Sequence, residues 1–139
     1  MSMKKTIAAL LTLALLALSA FAFAEESVAD TQKLDASYTL ALNAINAEDY
    51  ETAKEYLNIC FAYCDPQTNP TMYADLLLKR ACIDVIEEKN DMALLNLDAA
   101  IRVQPDLADA YLVRTQVYAA LGDTENQNSD LQASLKYAG

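Results

Sequence analysis

The stretch PDLADAYLVRTQVYAALGD, residues 105–123, decides the fold. Pro105 stands at its head, tyrosines stand at 111 and 118, and Leu121-Gly122-Asp123 closes it. The apolar spacing predicts a helix over 107–121. Pro105 stops whatever helix precedes it, because the residue before a proline is pushed out of helical space. Gly122 suits the left-handed residue that ends a helix, and Asp123 suits the cap of the next.

Displacing the stretch along the chain finds it again. Arg114 falls on Arg80, a displacement of 114 − 80 = 34. The same displacement sets Tyr111 on Leu77, Thr115 on Ala81, Leu131 on Leu97 and Leu135 on Ile101. Ala93 falls on Ala53 with the longer displacement 93 − 53 = 40. The difference sits in the loop Cys64-Asp-Pro-Gln-Thr-Asn-Pro70, which holds two of the chain's three prolines. A period of this size is the mark of stacked helical hairpins. The expected helices are 31–46 and 50–63, then 71–87 and 91–103, then 107–121 and 124–137. Asn69, Asp49, Asn90 and Asp123 stand where caps are needed, and Pro70 fits a first helical position.

These residues resemble the tetratricopeptide repeat. In the third unit the resemblance rests on Ala108-Asp-Ala-Tyr111, Thr115, Tyr118, Leu121-Gly-Asp123 and Leu131. In the second it rests on Leu77, Ala81, Ala93, Leu97, Ala100 and Pro105, and in the first on Ala41, Ala44, Asp49-Tyr50, Ala53 and Leu57. Asp84 stands where that family usually has an aromatic, and Cys60 and Ser134 replace alanine at a close contact. The resemblance implies an all-α chain: a right-handed α-α superhelix of three hairpins, about 34–66, 71–105 and 106–139. No cofactor, no metal and no catalytic residue is expected, for reasons of composition.

The N-terminal segment 1–24 reads differently. Met1 to Lys5 is a short basic head, Thr6 to Leu18 is an apolar run broken only by Thr12, and Ala22-Phe23-Ala24 precedes Glu25-Glu26. That layout is a secretory signal peptide cleaved after Ala24, or after Ala22. A retained membrane anchor is the alternative, and only then would a membrane be a partner. Residues 25–33 are expected as a linker and 34–139 as the domain. The expected location is secreted or periplasmic.

Composition narrows the chemistry. The chain has 20 acidic and 10 basic residues, a net charge of −10, and loses Lys4 and Lys5 on cleavage to reach −12. An acidic surface repels phosphate backbones, so nucleic acid is excluded as a partner. There is no histidine, which removes the commonest general base and zinc ligand. Two glycines build no phosphate loop. Cys60, Cys64 and Cys82 allow three disulfide pairings or three small buried thiols. Their spacing matches no zinc pattern.

The resemblance further implies that the first helix of each hairpin lines a concave groove where a protein or peptide binds. Carried over, the groove residues are Tyr38, Leu42 and Ile45; Leu78, Lys79, Cys82, Val85 and Ile86; and Leu112, Val113 and Gln116. The groove is mostly apolar, and Tyr38 is the residue expected to touch a ligand. The family's carboxylate clamp is unmatched, since Tyr38, Leu42 and Leu78 occupy its polar positions. A register shift by a single position would instead turn Leu78, Cys82 and Val85 into the core. The groove's occupant is a partner, a second copy in a homo-oligomer, or the chain's own 25–33 segment. The functional expectation is a non-catalytic scaffold or adaptor. A self-associating envelope module is the first rival. A hydrolase using Asp75 and Asp109 is the second. Arg80 and Arg114, one period apart, are expected to pair across adjacent first helices.

Overall fold

The structure, a computed structural model, describes residues 3–139, with side chains from residue 12 onward. Met1 and Ser2 of the basic head lie outside the described residues. Among the described residues there are six helices and no strand. They are α1 (Met3–Asn46), α2 (Tyr50–Tyr63), α3 (Pro70–Ile86), α4 (Asn90–Val103), α5 (Ala108–Leu121) and α6 (Thr124–Ala138). Helices α1/α2, α3/α4 and α5/α6 pair as hairpins, and neighbouring hairpins meet through α2–α3, α4–α5 and α3–α5. The molecule is an all-α helical repeat in which each hairpin touches only its neighbours.

Small residues set the close approach. Ala41, Ala53, Ala81, Ala93, Ala100 and Ala110 are all fully buried, so facing helices have no side chain to hold them apart. Larger side chains fill the gaps between hairpins. Leu57, Leu76 and Ile83 join one core cluster. Leu97 and Val117 join a second. Burying each leucine contributes roughly 1.5–3 kcal/mol.

The three hairpin turns are copies of one another. Glu48, Glu88 and Gly122 all take left-handed backbone, with φ of 58°, 59° and 74°. The N–H that follows each one reaches back into the helix: Asp49 to Ala44, Lys89 to Asp84 and Asp123 to Tyr118, at 2.8–2.9 Å. This closes the helix's loose carbonyls. Asp49, Asn69 and Asp123 then cap the helices that follow, accepting from the N–H of Thr52, Met72 and Asn126. The second turn departs from expectation. Lys89 holds the cap position of α4 without a side-chain bond, and Asn90 is already helical.

Helix α1 also differs from its expected bounds. It starts at Met3, not at residue 31, and residues 25–33 continue it instead of forming an irregular linker. The reason is local: neither proline nor glycine occurs before Pro66, so nothing interrupts the helix between the apolar N-terminal run and the repeat. Residues 12–24 of it are all exposed. Leu13, Leu15, Leu16, Leu18, Phe21 and Phe23 are each 65–75% exposed.

The repeated arginines act between hairpins, in a way the sequence did not suggest. Arg114 of α5 reaches back to Asp98 of α4 at 2.5 Å and across its own hairpin to Asp130 of α6 at 2.7 and 2.8 Å. Arg80 of α3 reaches back to Asn58 of α2 and lies over the Phe61 ring. Neither pairs across adjacent first helices. Their partners are on second helices because those are what α3 and α5 pack against. Asp84, standing where an aromatic was expected, is buried and accepts from Asn96 at 2.7 Å.

Candidate functional site

The three first helices, α1, α3 and α5, hold the expected site. Each contributes residues at the same repeat positions: Asp35, Asp75 and Asp109, then Tyr38, Leu78 and Leu112, then Leu42, Cys82 and Gln116. The structure treats the three rows differently because α3 belongs to the middle hairpin, with a hairpin on each side, whereas α1 and α5 belong to the end hairpins. Residues 25–33 run on as part of α1, so they do not fold across this face as an occupant would.

Leu78 shows the effect most directly. Expected in the groove, it is 5% exposed and belongs to the second core cluster. Leu76 and Leu77 beside it are buried too. A helix covered by both neighbours buries apolar residues around most of its circumference. Cys82, Val85 and Val113 are half-buried against the same cluster. Tyr38 and Ile45 are half-buried against the first, and Leu42 is half-buried on α1. Open apolar surface remains at Ile86 (54% exposed) and Leu112 (44%), with exposed Gln116 beside them in the repeat frame.

A polar bridge crosses from α1 to α3. The Tyr38 hydroxyl donates to Asp75 Oδ2 at 2.5 Å, and Lys79 Nζ donates to Asp75 Oδ1 at 3.1 Å. Tyr38 ionises far above its ordinary range, because burial disfavours the phenolate and the Asp75 carboxylate lies against it. It therefore stays a hydrogen-bond donor at any physiological pH. The Asp75–Lys79 spacing, one helical turn, was readable as an ion pair. The Tyr38–Asp75 bond, which joins different hairpins, was not. Both Asp75 oxygens are thus occupied by donors from its own chain.

The thiols are free. Cys60 and Cys64 are buried and Cys82 is half-buried. Burial pushes the Cys60 thiol up to about 11, and Cys64 nearby adds to it. Burial also raises Cys82, and the carboxylates of Asp75 and Asp109 add to the rise while Lys79 opposes it. No group of metal-binding side chains gathers among the described residues.

Asp35 of the first-helix set also borders a concavity. A cleft of about 700 Å³ is bounded by α1 around Glu26, Asp30 and Leu34 and by the α2–α3 loop around Tyr63, Asp65 and Met72. Helix α1 also carries a stretch long and apolar enough to cross a membrane, none of it buried.

No family model matches the sequence. The chain is similar to DnaJ homolog subfamily C member 3 of Gallus gallus, with 32% identity over 117 residues. That alignment takes in 81% of this chain but only 22% of the relative, so the chain spans less than a quarter of the protein it matches.

Proposed function

We propose that this chain is a tetratricopeptide-like scaffold that binds a protein or peptide along the face shared by α1, α3 and α5, and that it performs no chemistry of its own. The observation that carries this reading is that Ile86 and Leu112, large apolar side chains on the adjacent first helices α3 and α5, are both left open. Exposed apolar surface of this kind is where partners dock. The Tyr38–Asp75–Lys79 bridge fixes the spacing of the first two helices and so shapes the floor on which a partner would lie. The likeness to a segment of a longer DnaJ homologue supports a protein-interaction role in general terms. The two donors already held by Asp75 speak against the carboxylate hydrolase.

The exposed apolar run 12–24 supports export with cleavage after Ala24, since an uncovered helix of this kind is unfavourable in water. A secreted or periplasmic scaffold spanning 25–139 is the product of that reading.

The experiment is a comparison of captured partners between the protein and its Ile86→Asp/Leu112→Asp variant. Both side chains are exposed, so the variant keeps its helicity. A partner retained by the parent and lost from the variant supports the reading. An unchanged partner set refutes it.

A further inference from the structure

The first hairpin carries sulfur where the second has none. Cys60 answers to Ala100 and Cys64 to Gln104, with displacements 100 − 60 = 40 and 104 − 64 = 40. Ala100 is fully buried like Cys60, so packing at this position does not call for sulfur. Cys64 and Gln104 each end their helix. The junctions that follow differ in length: residues 64–69 separate α2 from α3, but only 104–107 separate α4 from α5. The two thiols therefore stand at the longer junction between hairpins.

Cys60 lies on the last turn of α2, and Cys64 follows the helix directly. Residues four apart share one side of a helix, with Cβ atoms about 5–6 Å apart. A disulfide needs roughly 3.5–4.5 Å, so a gap of about 1–2 Å must close. Cys64 has the freedom to close it. Its backbone is extended, with φ −111° and ψ 112°, and residues 65–70 beyond it are all exposed. Its thiol donates to the Asn69 carbonyl at 3.8 Å. That weak bond is easily given up, because the same carbonyl also accepts the Tyr73 N–H at 3.1 Å. Cys60 is held more firmly, fully buried with its thiol directed at the Leu34 carbonyl of α1 at 3.9 Å.

Cys82 is set apart from this pair. Cys60 and Cys64 belong to the first core cluster, whereas Cys82 packs against the second. Burial raises both Cys60 and Cys64, so the closed junction keeps them unreactive. Exchange therefore waits on a local opening of the exposed loop, which reaches Cys64 first.

We propose that Cys60 and Cys64 are a redox pair that closes into an intramolecular disulfide by exchange with a low-molecular-weight disulfide of the oxidised-glutathione class. Cys64 loses its proton, and its thiolate attacks one sulfur of the oxidant. The other sulfur leaves as a thiolate, and a mixed disulfide remains on Cys64. The Cys60 thiolate then attacks the Cys64 sulfur and expels the second thiolate. The two expelled thiolates take up the two protons that the cysteines lost. Two protein thiols are thus oxidised to one disulfide while one small disulfide is reduced to two thiols. The bridge removes both S–H donors, and with them the ties from α2 to Leu34 and Asn69. Spanning a single helical turn, it is strained and readily reopened by the reduced thiol. This pair lies at the junction of the first two hairpins, and the inference does not depend on the groove proposed above.

The test equilibrates the whole chain, in mild detergent, with oxidised glutathione, then quenches with acid and counts thiols. The three free thiols should fall to one, with a mass lower by two hydrogens and a peptide linking Cys60 to Cys64. Excess reduced glutathione should restore all three. Cys60→Ala copies the buried Ala100 and so keeps the fold, as circular dichroism can check. It should trap glutathione on Cys64, because nothing is left to resolve the mixed disulfide. Cys82→Ser should close the bridge as the parent does. Retention of three thiols, a bridge that includes Cys82, or a lasting glutathione adduct on the parent would overturn the proposal. So would a bridge that excess reduced glutathione fails to reopen, since the bond would then be a permanent brace.

Discussion

At the scale of single residues, the hairpin turns make an internal comparison. Gly122 takes its left-handed backbone at no steric cost, and a side chain added there would meet nothing within 4 Å. Gly122→Ala should therefore destabilise through the backbone alone, by about 1 kcal/mol. Glu88 holds the same conformation with a side chain. Glu88→Gly should stabilise by about 0.5–1 kcal/mol. Urea midpoints of the two variants check both signs. Cys60 gives a pH dependence. Its thiol is held at about 11 against an ordinary value of 9.0, chiefly by burial. Below pH 9 both folded and unfolded chains keep the proton, so its contribution is fully present. Between pH 9 and 11 the unfolded thiol ionises first, and that contribution is lost. Cys60→Ala should lose less stability than the parent over this window, as read by urea denaturation at each pH.

At the scale of elements, Arg114 joins three helices. Its guanidinium meets Asp98 of α4 and Asp130 of α6, and the Asp130 side chain is only 6% exposed. Removing the arginine leaves a buried carboxylate without its partner, a loss of about 3 kcal/mol. Arg114→Met should show that loss in chemical denaturation, and Arg114→Met/Asp130→Leu should recover most of it. If the single change were nearly neutral, the bridge would be a surface ornament. Arg80 makes a useful control. Its partner Asn58 is neutral and exposed, so Arg80→Met should be milder.

At the scale of the whole molecule, the apolar part of α1 stands apart from both core clusters. None of residues 12–24 is buried, and the core begins at Leu34. A protein beginning at Glu25 should therefore melt at the same temperature as the whole chain, measured by circular dichroism in mild detergent so that the apolar segment stays soluble. A fall of several degrees would show that this segment is part of the fold. Since contacts run only between neighbouring hairpins, damage in the third hairpin should spread less to the first than in a globular core of this size.

Much of this architecture is written in the chain itself. The two repeat offsets, the alanines at 53 and 93, the proline loop and Gly122 mark out three hairpins with most boundaries close to those observed. These are local signals: a cap, a breaker and an apolar period act over one or two turns of helix. The site was less legible. That Leu78 turns inward, that Tyr38 gives its hydroxyl to Asp75, and that Arg80 and Arg114 reach back to second helices all depend on how helices rotate against their neighbours. Rotation is set by packing between side chains far apart in the chain, which periodicity does not encode. The number of hairpins and the place of each turn are local properties of the chain; which side of each helix meets water was fixed only on assembly, because burial belongs to the stack and not to the segment.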